Sequence, residues 1–345
     1  MKKIIDLFQK YQHKWNVYKT RFIYKKIDDK FIPQKTKELR LFVIARNESL
    51  RLPYFLNYYA GKEVDRIFII DNNSTDNTRE LALSYPNTHV FTINKSYKYH
   101  WYWIEFFLNK YGKNYWCMVV DMDELFYFPN AENMSFKDLT EYLTLFNFTS
   151  VHSVLLDMYS DKPIRNTKYN PNDNPLDCCP YFDPPHYNNY TVPLFDKKKW
   201  KFFYTKIYIG GMRKRVFKSA KNFNPLISKI PLFYYTSNTY LYQGMHGING
   251  TKPADIEGVV FHTKFMHDFI DNVMEESIRE EHWDNAAEYK TYKEHILNNS
   301  NLTLNYPSSL KYCGSTQLVE LGIMQSSYQF ENYCKRKHIL KKIRK

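Results

Sequence analysis

Three acids, Asp121, Asp123 and Glu124, stand directly after the apolar run Trp116 to Val120. The run is short and uninterrupted, which reads as a buried strand. In an α/β fold the carboxyl end of a strand is where ligands bind. If the backbone stays extended through the acids, its alternation puts Asp121 and Asp123 on one side. Such a pair can hold a hard divalent cation, Mn2+ or Mg2+, that also grips a diphosphate. The plain alternative is a turn of surface acids.

Two further segments repeat the pattern. Ile67 to Ile70 is an apolar run ending in Asp71, followed by the polar turn Asn72 to Asp76 and a helix beginning near Thr78-Arg79-Glu80. Leu39 to Ala45 is a third run, ending in Arg46-Asn47-Glu48. Strands that alternate with helices and end in charged residues predict a parallel sheet with its site along one edge. Ordinary turn and N-cap chemistry also accounts for Asn72 to Asp76.

Arg46-Asn-Glu48, Asp71-Asn-Asn-Ser-Thr-Asp76 and Asp121-Met-Asp-Glu-Leu125 resemble the nucleotide-site motifs of GT-A glycosyltransferases, close to family 2, in the branch reading RNE, DNNSTD, DxDEL. Later pieces of that branch follow: Asp157-Met-Tyr159, Tyr181-Phe-Asp183, Gly210-Gly-Met-Arg-Lys-Arg215, Lys229-Ile-Pro-Leu232 and His262-Thr-Lys-Phe265. The last is usually His-Phe-Lys-Phe, so Thr263 is a departure. The resemblance covers about residues 38–270. It implies an α/β, GT-A (Rossmann-like) fold with a mostly parallel central sheet, helices on both faces and helical termini. It also implies a metal-dependent, inverting, hexosyltransferase-like enzyme. The donor would be a nucleotide sugar, UDP-sugar favoured, and the acceptor a glycan or lipid-linked sugar. By analogy alone, the pathway is bacterial surface polysaccharide or lipooligosaccharide synthesis.

The resemblance also implies residue roles. Asp123 would coordinate the metal, Asp121 would touch metal or ribose, and Asp71 would accept from the base. Arg46 and Glu48 would frame the nucleotide, with Asn47, Asn73, Asp76 and Met122 in the same set. His262 follows the apolar run Gly258 to Phe261 and is the late histidine such enzymes often give to the metal. His246 is its alternative, at an acceptor or phosphate position. An inverting transfer needs a general base, and Asp157 and Asp183 are the candidates. Arg213 and Arg215 could grip a phosphate or acidic sugar in a fork. Two other classes stay in view. A nucleotidyltransferase would usually carry a Gly-rich phosphate loop near the N-terminus, which this chain of ten glycines lacks. A binding protein that lost catalysis would have no need of Asp121, Asp123 and His262.

Composition bounds the rest. The chain is 18% aromatic, with 31 Tyr and 25 Phe, ample for a core and for sugar-stacking surfaces. No apolar run is long enough for a membrane span, and the N-terminus has no signal-peptide apolar core. The five cysteines form neither a paired framework nor a zinc spacing, and adjacent Cys178 and Cys179 read more simply as reduced thiols than as a redox device. The expected compartment is cytoplasmic, with peripheral attachment to the inner face of the membrane in view. The net charge of +13 sits at the ends: residues 1–30 hold nine Lys or Arg and three Asp, residues 335–345 hold seven Lys or Arg and no acid, and the middle balances. A neutral body with basic ends does not read as a nucleic-acid binder. Ile4, Phe8, Tyr11, Trp15, Tyr18 and Phe22 fall on one helical stripe among Lys10, Lys14, Lys19, Lys25 and Lys26. That suits an anionic membrane surface, a packed helix with solvated lysines, or a partner subunit in a homo-oligomer.

The expected organisation is a helical lead-in over 1–36 and a catalytic domain over 38–265. The domain divides into a nucleotide half (38–160), an irregular insert acting as a lid (161–200) and an acceptor half of short strands with turns at Gly210-Gly211 and Gly244 (201–265). Helices and a basic tail make up 266–345, with Glu275, Glu276, Glu280 and Glu281 facing solvent and one more helix from 316.

Overall fold

The computed structural model describes residues 2–185, 187–218, 224–242 and 245–343. The Gly244 turn, the side chains of Ile4, Phe8 and Lys10, and the last two residues of the basic tail lie outside the described residues. In chain order the elements are α1 (Lys2–Lys19), β1 (Tyr24–Lys26), β2 (Leu39–Ala45), α2 (Leu52–Gly61), β3 (Arg66–Asp71), α3 (Thr78–Ser84), β4 (Thr88–Ile93), α4 (His100–Phe107), β5 (Tyr115–Val119), β6 (Glu124–Tyr127), α5 (Phe136–Leu145) and β7 (Ser150–Asp157). Then follow α6 (Pro175–Cys178), β8 (Tyr181–Phe182), β9 (Tyr187–Asp196), β10 (Lys201–Gly210), α7 (Gly211–Val216), β11 (Ser228–Tyr235), β12 (Tyr240–Tyr242), β13 (Gly247–Asn249), β14 (Pro253–His262), α8 (Phe269–Arg279), α9 (Trp283–Asn298), β15 (Leu310–Lys311), α10 (Ser315–Glu320) and α11 (Tyr328–Ile343).

The apolar runs become strands because residues buried on both faces must be apolar throughout. They join one nine-stranded mixed sheet in the order β1-β4-β3-β2-β5-β11-β7-β14-β6. β4, β3, β2 and β5 are mutually parallel, as are β7 and β14, while β1, β11 and β6 pair antiparallel to their neighbours. Alternation sends Leu41, Val43, Ile67 and Ile69 to one face, where they pack with Phe55, Tyr59 and Tyr142 from α2 and α5. Phe42, Phe68, Ile70 and Phe91 go to the other face, against Trp103, Ile104 and Phe107 of α4. The architecture is α/β with a Rossmann-like arrangement of its parallel strands. β6 docks on β14 at Gly258, where a Cβ would stand 2.5 Å from the Tyr127 carbonyl oxygen.

Several boundaries differ from expectation. The lead-in is not all helix: β1 pairs with β4 and covers an edge of the sheet. The insert is not irregular throughout: it ends in β9, which pairs with β10 over ten residues of each strand in a hairpin spanning the expected boundary at 200. Its first part is tied down as well: Asn174 accepts from Tyr54 Oη at 3.0 Å, and Thr167 O accepts from the His267 amide at 3.0 Å. Polar composition misled here, since backbone pairing needs no apolar periodicity. At Gly210-Gly211 the chain passes from β10 into α7 rather than turning between two strands, and the segment after 314 holds two helices rather than one. All five cysteines are free thiols.

One buried cluster joins lead-in, sheet and α4 region. Glu38, 5% exposed, accepts from Arg40 Nη2 at 2.7 Å and from Arg66 Nε at 3.0 Å. Arg40 also donates to the carbonyls of Tyr111 and Pro33 and lies 3.5 Å from the Tyr115 ring centre. Removing one member of a buried ion cluster strands the others. Glu38→Ala is therefore expected to destabilise the protein by about 3–5 kcal/mol in urea unfolding, and a loss under about 1 kcal/mol would show the cluster to be dispensable.

Candidate functional site

The six parallel strands all deliver their carboxyl ends to one edge of the sheet, and the antiparallel β11 and β6 bring their amino ends there. That edge collects Arg46 after β2, Asp71 at the end of β3, Asp121 and Asp123 after β5, Glu124 at the start of β6, Asp157 at the end of β7, Lys229 near the start of β11 and His262 at the end of β14. β2 has β3 on one side and β5 on the other, so the strand order reverses there. A crevice at such a reversal is the usual ligand position in open α/β sheets.

The acids form a turn rather than a continued strand. The Glu124 amide donates to Asp121 O at 3.1 Å, and the Glu124 carboxylate accepts from the Asp121 amide at 3.0 Å. Turning, not pleat alternation, sets the acids, and it sends them to different partners. Lys229 Nζ lies 3.2 Å from Asp121 and 2.6 Å from Glu124. His262 Nε2 lies 3.3 Å from Asp123 Oδ2, and its Nδ1 lies 2.7 Å from Asp157 Oδ1. Asp157 also accepts from Arg213 Nε at 3.0 Å. Burial would lower the imidazole pKa, but Asp123 and Asp157 outweigh it and raise it to about 9. Burial works against the Asp123 carboxylate too, and His262 holds it well below the usual range. Thr263, the departure from the family pattern, has a role a phenylalanine lacks: its hydroxyl donates to Asp123 O at 3.1 Å, as its amide does at 2.8 Å.

The two polar loops interlock. Asn47 Oδ1 accepts from the Thr75 amide at 2.8 Å, the Asn47 amide donates to Ser74 Oγ at 3.0 Å, and the Glu48 amide donates to Thr78 Oγ1 at 2.8 Å. Asp76 accepts from the amides of Thr78 and Ser49, each at 3.0 Å. Asp71 is wholly buried, accepts from the Ser74 amide at 3.1 Å and pairs with Arg79 at 3.4 Å. Asn47, Asp71 and Asp76 therefore hold the loops together, and Asp71 presents no free surface to a base. Asn73 is exposed, and its carbonyl accepts from Arg46. Met122 is buried in the core beside Arg51 and Tyr169, away from the nucleotide set expected for it. Glu48 remains chemically open: burial, with Asp123, Asp268 and Asp76 nearby, raises it to about 8 against the pull of Arg51. Such a group near an acid pair is a marker of function.

Neither expected base is free. Asp157 is enclosed by His262 and Arg213. Asp183 accepts two bonds from Arg215, each 2.8 Å, and one from Tyr159 Oη at 2.6 Å. Arg215 also donates to Leu304 O and stacks 3.9 Å from the Tyr306 ring centre, so this pair fastens the later chain rather than gripping a ligand. Arg213 joins Asp157 to Glu288, leaving its Nη2 buried without a partner. His246 Nδ1 lies 2.7 Å from Ser228 O and must donate to it, which leaves Nε2 a lone pair. Burial and neighbouring Lys229 lower its pKa to about 4, so it is neutral.

α8 and α9 roof this edge, and their acids do not simply face solvent. Glu275 pairs with Arg46 at 3.1 Å, Glu276 with Arg279 and His282, and Glu281 accepts from the Tyr97 amide at 3.0 Å; Glu280 meets only Lys290 among the described residues. Asp268 takes both guanidinium nitrogens of Arg51, at 2.5 and 2.9 Å. Sequence reasoning missed Lys229, Arg51, Lys264 and the aromatic rim of Tyr97, stacked on His100 at 4.2 Å, and Tyr289, 4.5 Å from His282. Lys229, inside an apolar run, was the one detectable signal: a lysine there needs an acid.

No family model matches the chain, and no curated protein matches it. Among the described residues no trio of His, Cys, Asp or Glu converges as a metal cage. Asp123 and His262 supply one carboxylate and one imidazole, a donor set that suits a transition ion such as Mn2+ better than Mg2+, which takes oxygen ligands, with substrate phosphates and water providing the rest. Asp157 on the far ring nitrogen fixes the tautomer that faces Asp123, as outer carboxylates do for metal-binding histidines.

A histidine whose folded pKa exceeds its unfolded value stabilises fully below the unfolded pKa and loses that contribution as pH rises through the folded one. For His262 the window is about 6.5 to 9. Metal-free wild type should lose on the order of 3 kcal/mol more than His262→Gln across it, read by urea unfolding at both ends; parallel pH dependence in the two proteins would refute the pairing.

Proposed function

We propose that the protein is a metal-dependent glycosyltransferase that moves a sugar from a nucleotide diphosphate donor to a glycan or lipid-linked acceptor. One observation carries this reading: Asp123 and His262 face each other at 3.3 Å at the carboxyl edge of parallel strands, with Asp157 orienting the imidazole. A divalent cation bound there would act as a Lewis acid on the departing diphosphate. The GT-A assignment is the finer form of the α/β architecture and rests on the motif resemblance.

The chain's own groups supply the remaining chemistry. Arg46 and Arg51 can offer positive charge to phosphate once Glu275 and Asp268 yield, and Lys264, which donates to the Tyr289 hydroxyl, can add to it. Lys229 holds Asp121 and Glu124 together, so the acid turn keeps its shape whether or not a cation is present. Burial raises the Glu48 carboxyl to about 8, which suits it to take or return a proton beside Asp123, whereas Asp157 and Asp183 are held in ion pairs with Arg213 and Arg215. α8 and α9 stand over part of the edge through the Glu275–Arg46 and Asp268–Arg51 pairs and would help to shield an activated sugar from water.

The test is a thermal-shift screen of UDP-, GDP-, CMP- and dTDP-sugars with manganese, followed by donor hydrolysis. One donor should raise the melting temperature only with metal present. Asp123→Ala should abolish that shift and lower turnover by at least about 100-fold, while leaving the unliganded fold intact. His262→Ala should weaken metal binding less completely, since water can replace one ligand. Wild-type turnover in Asp123→Ala, or metal-independent binding of every donor, would overturn the assignment.

A further inference from the structure

The described members of the aromatic stripe, Tyr11, Trp15, Tyr18 and Phe22, do not pack into the body. α1 docks through its opposite side: His13, 9% exposed, meets Glu105 of α4 at 2.9 Å, and Thr20 beyond the helix end is buried. Tyr11, Trp15 and Phe22 remain 62%, 52% and 67% exposed. They form an ordered ridge with Tyr18, whose ring lies 5.7 Å from Trp15 and 5.4 Å from Phe22. Cations are set into it. Lys19 lies 5.5 Å over Trp15, and Arg21 lies 5.1 Å over Tyr18. Lys14, Lys19, Arg21 and Lys25 carry no ion pair among the described residues and are exposed.

The fold brings a second basic element to the same place. The tip of the β9–β10 hairpin reads Asp196-Lys-Lys-Lys-Trp-Lys201. Asp196 builds the turn by accepting from the amides of Lys198 and Lys199, both at 2.8 Å, and Trp200 packs edge-on against Phe195 at 4.8 Å. Lys198 reaches back to Glu105 at 3.3 Å, so one carboxylate holds both α1 and the hairpin tip. His13, Trp101, Lys197 and Lys198 line one indentation between them. Lys197, Lys199 and Lys201 have no acid partner among the described residues. The other basic end is elsewhere: α11 packs by Phe330 and Tyr333 on Tyr142 over the opposite face of the sheet, and Lys337 is neutralised by Asp138 and Glu141.

We infer that α1 and the hairpin tip together form a docking face for an anionic lipid surface, and that the basic C-terminal helix takes no part in it. An interfacial site needs protruding aromatics that enter the headgroup region and cations that meet lipid phosphates. Single-stranded nucleic acid would need a groove with stacking platforms, whereas this surface is a convex helix edge beside a turn. The inference stands apart from the transferase reading, because its test measures partitioning and not turnover.

The experiment is co-sedimentation of the full chain with phosphatidylcholine vesicles, with and without phosphatidylglycerol. Wild type should bind only the anionic vesicles. Lys197→Glu/Lys199→Glu/Lys201→Glu should lose at least about tenfold in partitioning at low salt. Trp15→Ser/Phe22→Ser should bind more weakly and release at lower salt than wild type. Lys335→Glu/Arg336→Glu on α11 should bind as wild type does. All the changed residues are surface groups, and circular dichroism checks folding. Wild-type partitioning by the hairpin variant, loss in the α11 variant, equal binding to neutral vesicles, or binding to an oligonucleotide with none to anionic vesicles would each overturn the inference.

Discussion

Carboxylates crowded at one edge of a largely buried sheet are the constraint on which the rest of this structure depends. Asp121, Asp123, Glu124 and Asp157 lie within one site, and a low-dielectric edge does not tolerate unpaired charge. Three cations from three elements meet the four acids: Lys229 from β11 takes Asp121 and Glu124, His262 from β14 takes Asp123 and Asp157, and Arg213 from α7 also takes Asp157. The mixed direction of the sheet follows the same logic. Antiparallel β11 presents Lys229 from its amino end, beside acids that parallel strands present from their carboxyl ends. In a wholly parallel sheet that lysine would stand at the opposite edge.

The same compensation links stability to chemistry. His262 is charged between two carboxylates, and any cation that takes its place with Asp123 must first displace a proton. Glu48 is raised mainly by burial, with Asp123, Asp268 and Asp76 adding to it against the pull of Arg51. The site thus contains one group raised by attraction and one raised by burial, an arrangement that separates proton donors from permanent anions. The α8–α9 roof adds a second layer, with Asp268 and Glu275 neutralising Arg51 and Arg46.

The aromatic and basic surface at the N-terminal side follows from how α1 is attached. A helix with one aromatic stripe normally turns it inward. Here the inward contacts are His13 and Thr20, and Glu105 ties the helix and the β9–β10 tip to α4. The basic ends, alike in composition, lie on opposite faces of the sheet, because α4 receives one and α5 the other. The insert from 161 to 200 begins as a hydrogen-bonded loop and ends in one strand of the β9–β10 hairpin, and the cover over the strand ends is helical.

The strands β2, β3, β5, β7 and β14 were legible in the amino-acid order because double-sided burial demands uninterrupted apolar runs, and their charged termini marked in advance the edge where the charged side chains collect. The position of Asp123 and His262 could be anticipated from strand ends alone. Other features depend on contacts between distant segments and leave no local trace. Asp157 and Asp183 look like available acids until Arg213 and Arg215 arrive on α7. Asp71 and Asp76 look like ligands until the two loops interlock. Lys229 looks out of place until β11 inserts between β5 and β7. Whether Trp15 faces the core or solvent is equally invisible in a periodic pattern, which fixes a common side of the helix but not its neighbour. Local propensity and periodicity determined which segments are strands and helices; charge compensation and face assignment arise only when segments far apart in the chain compete for the same partners.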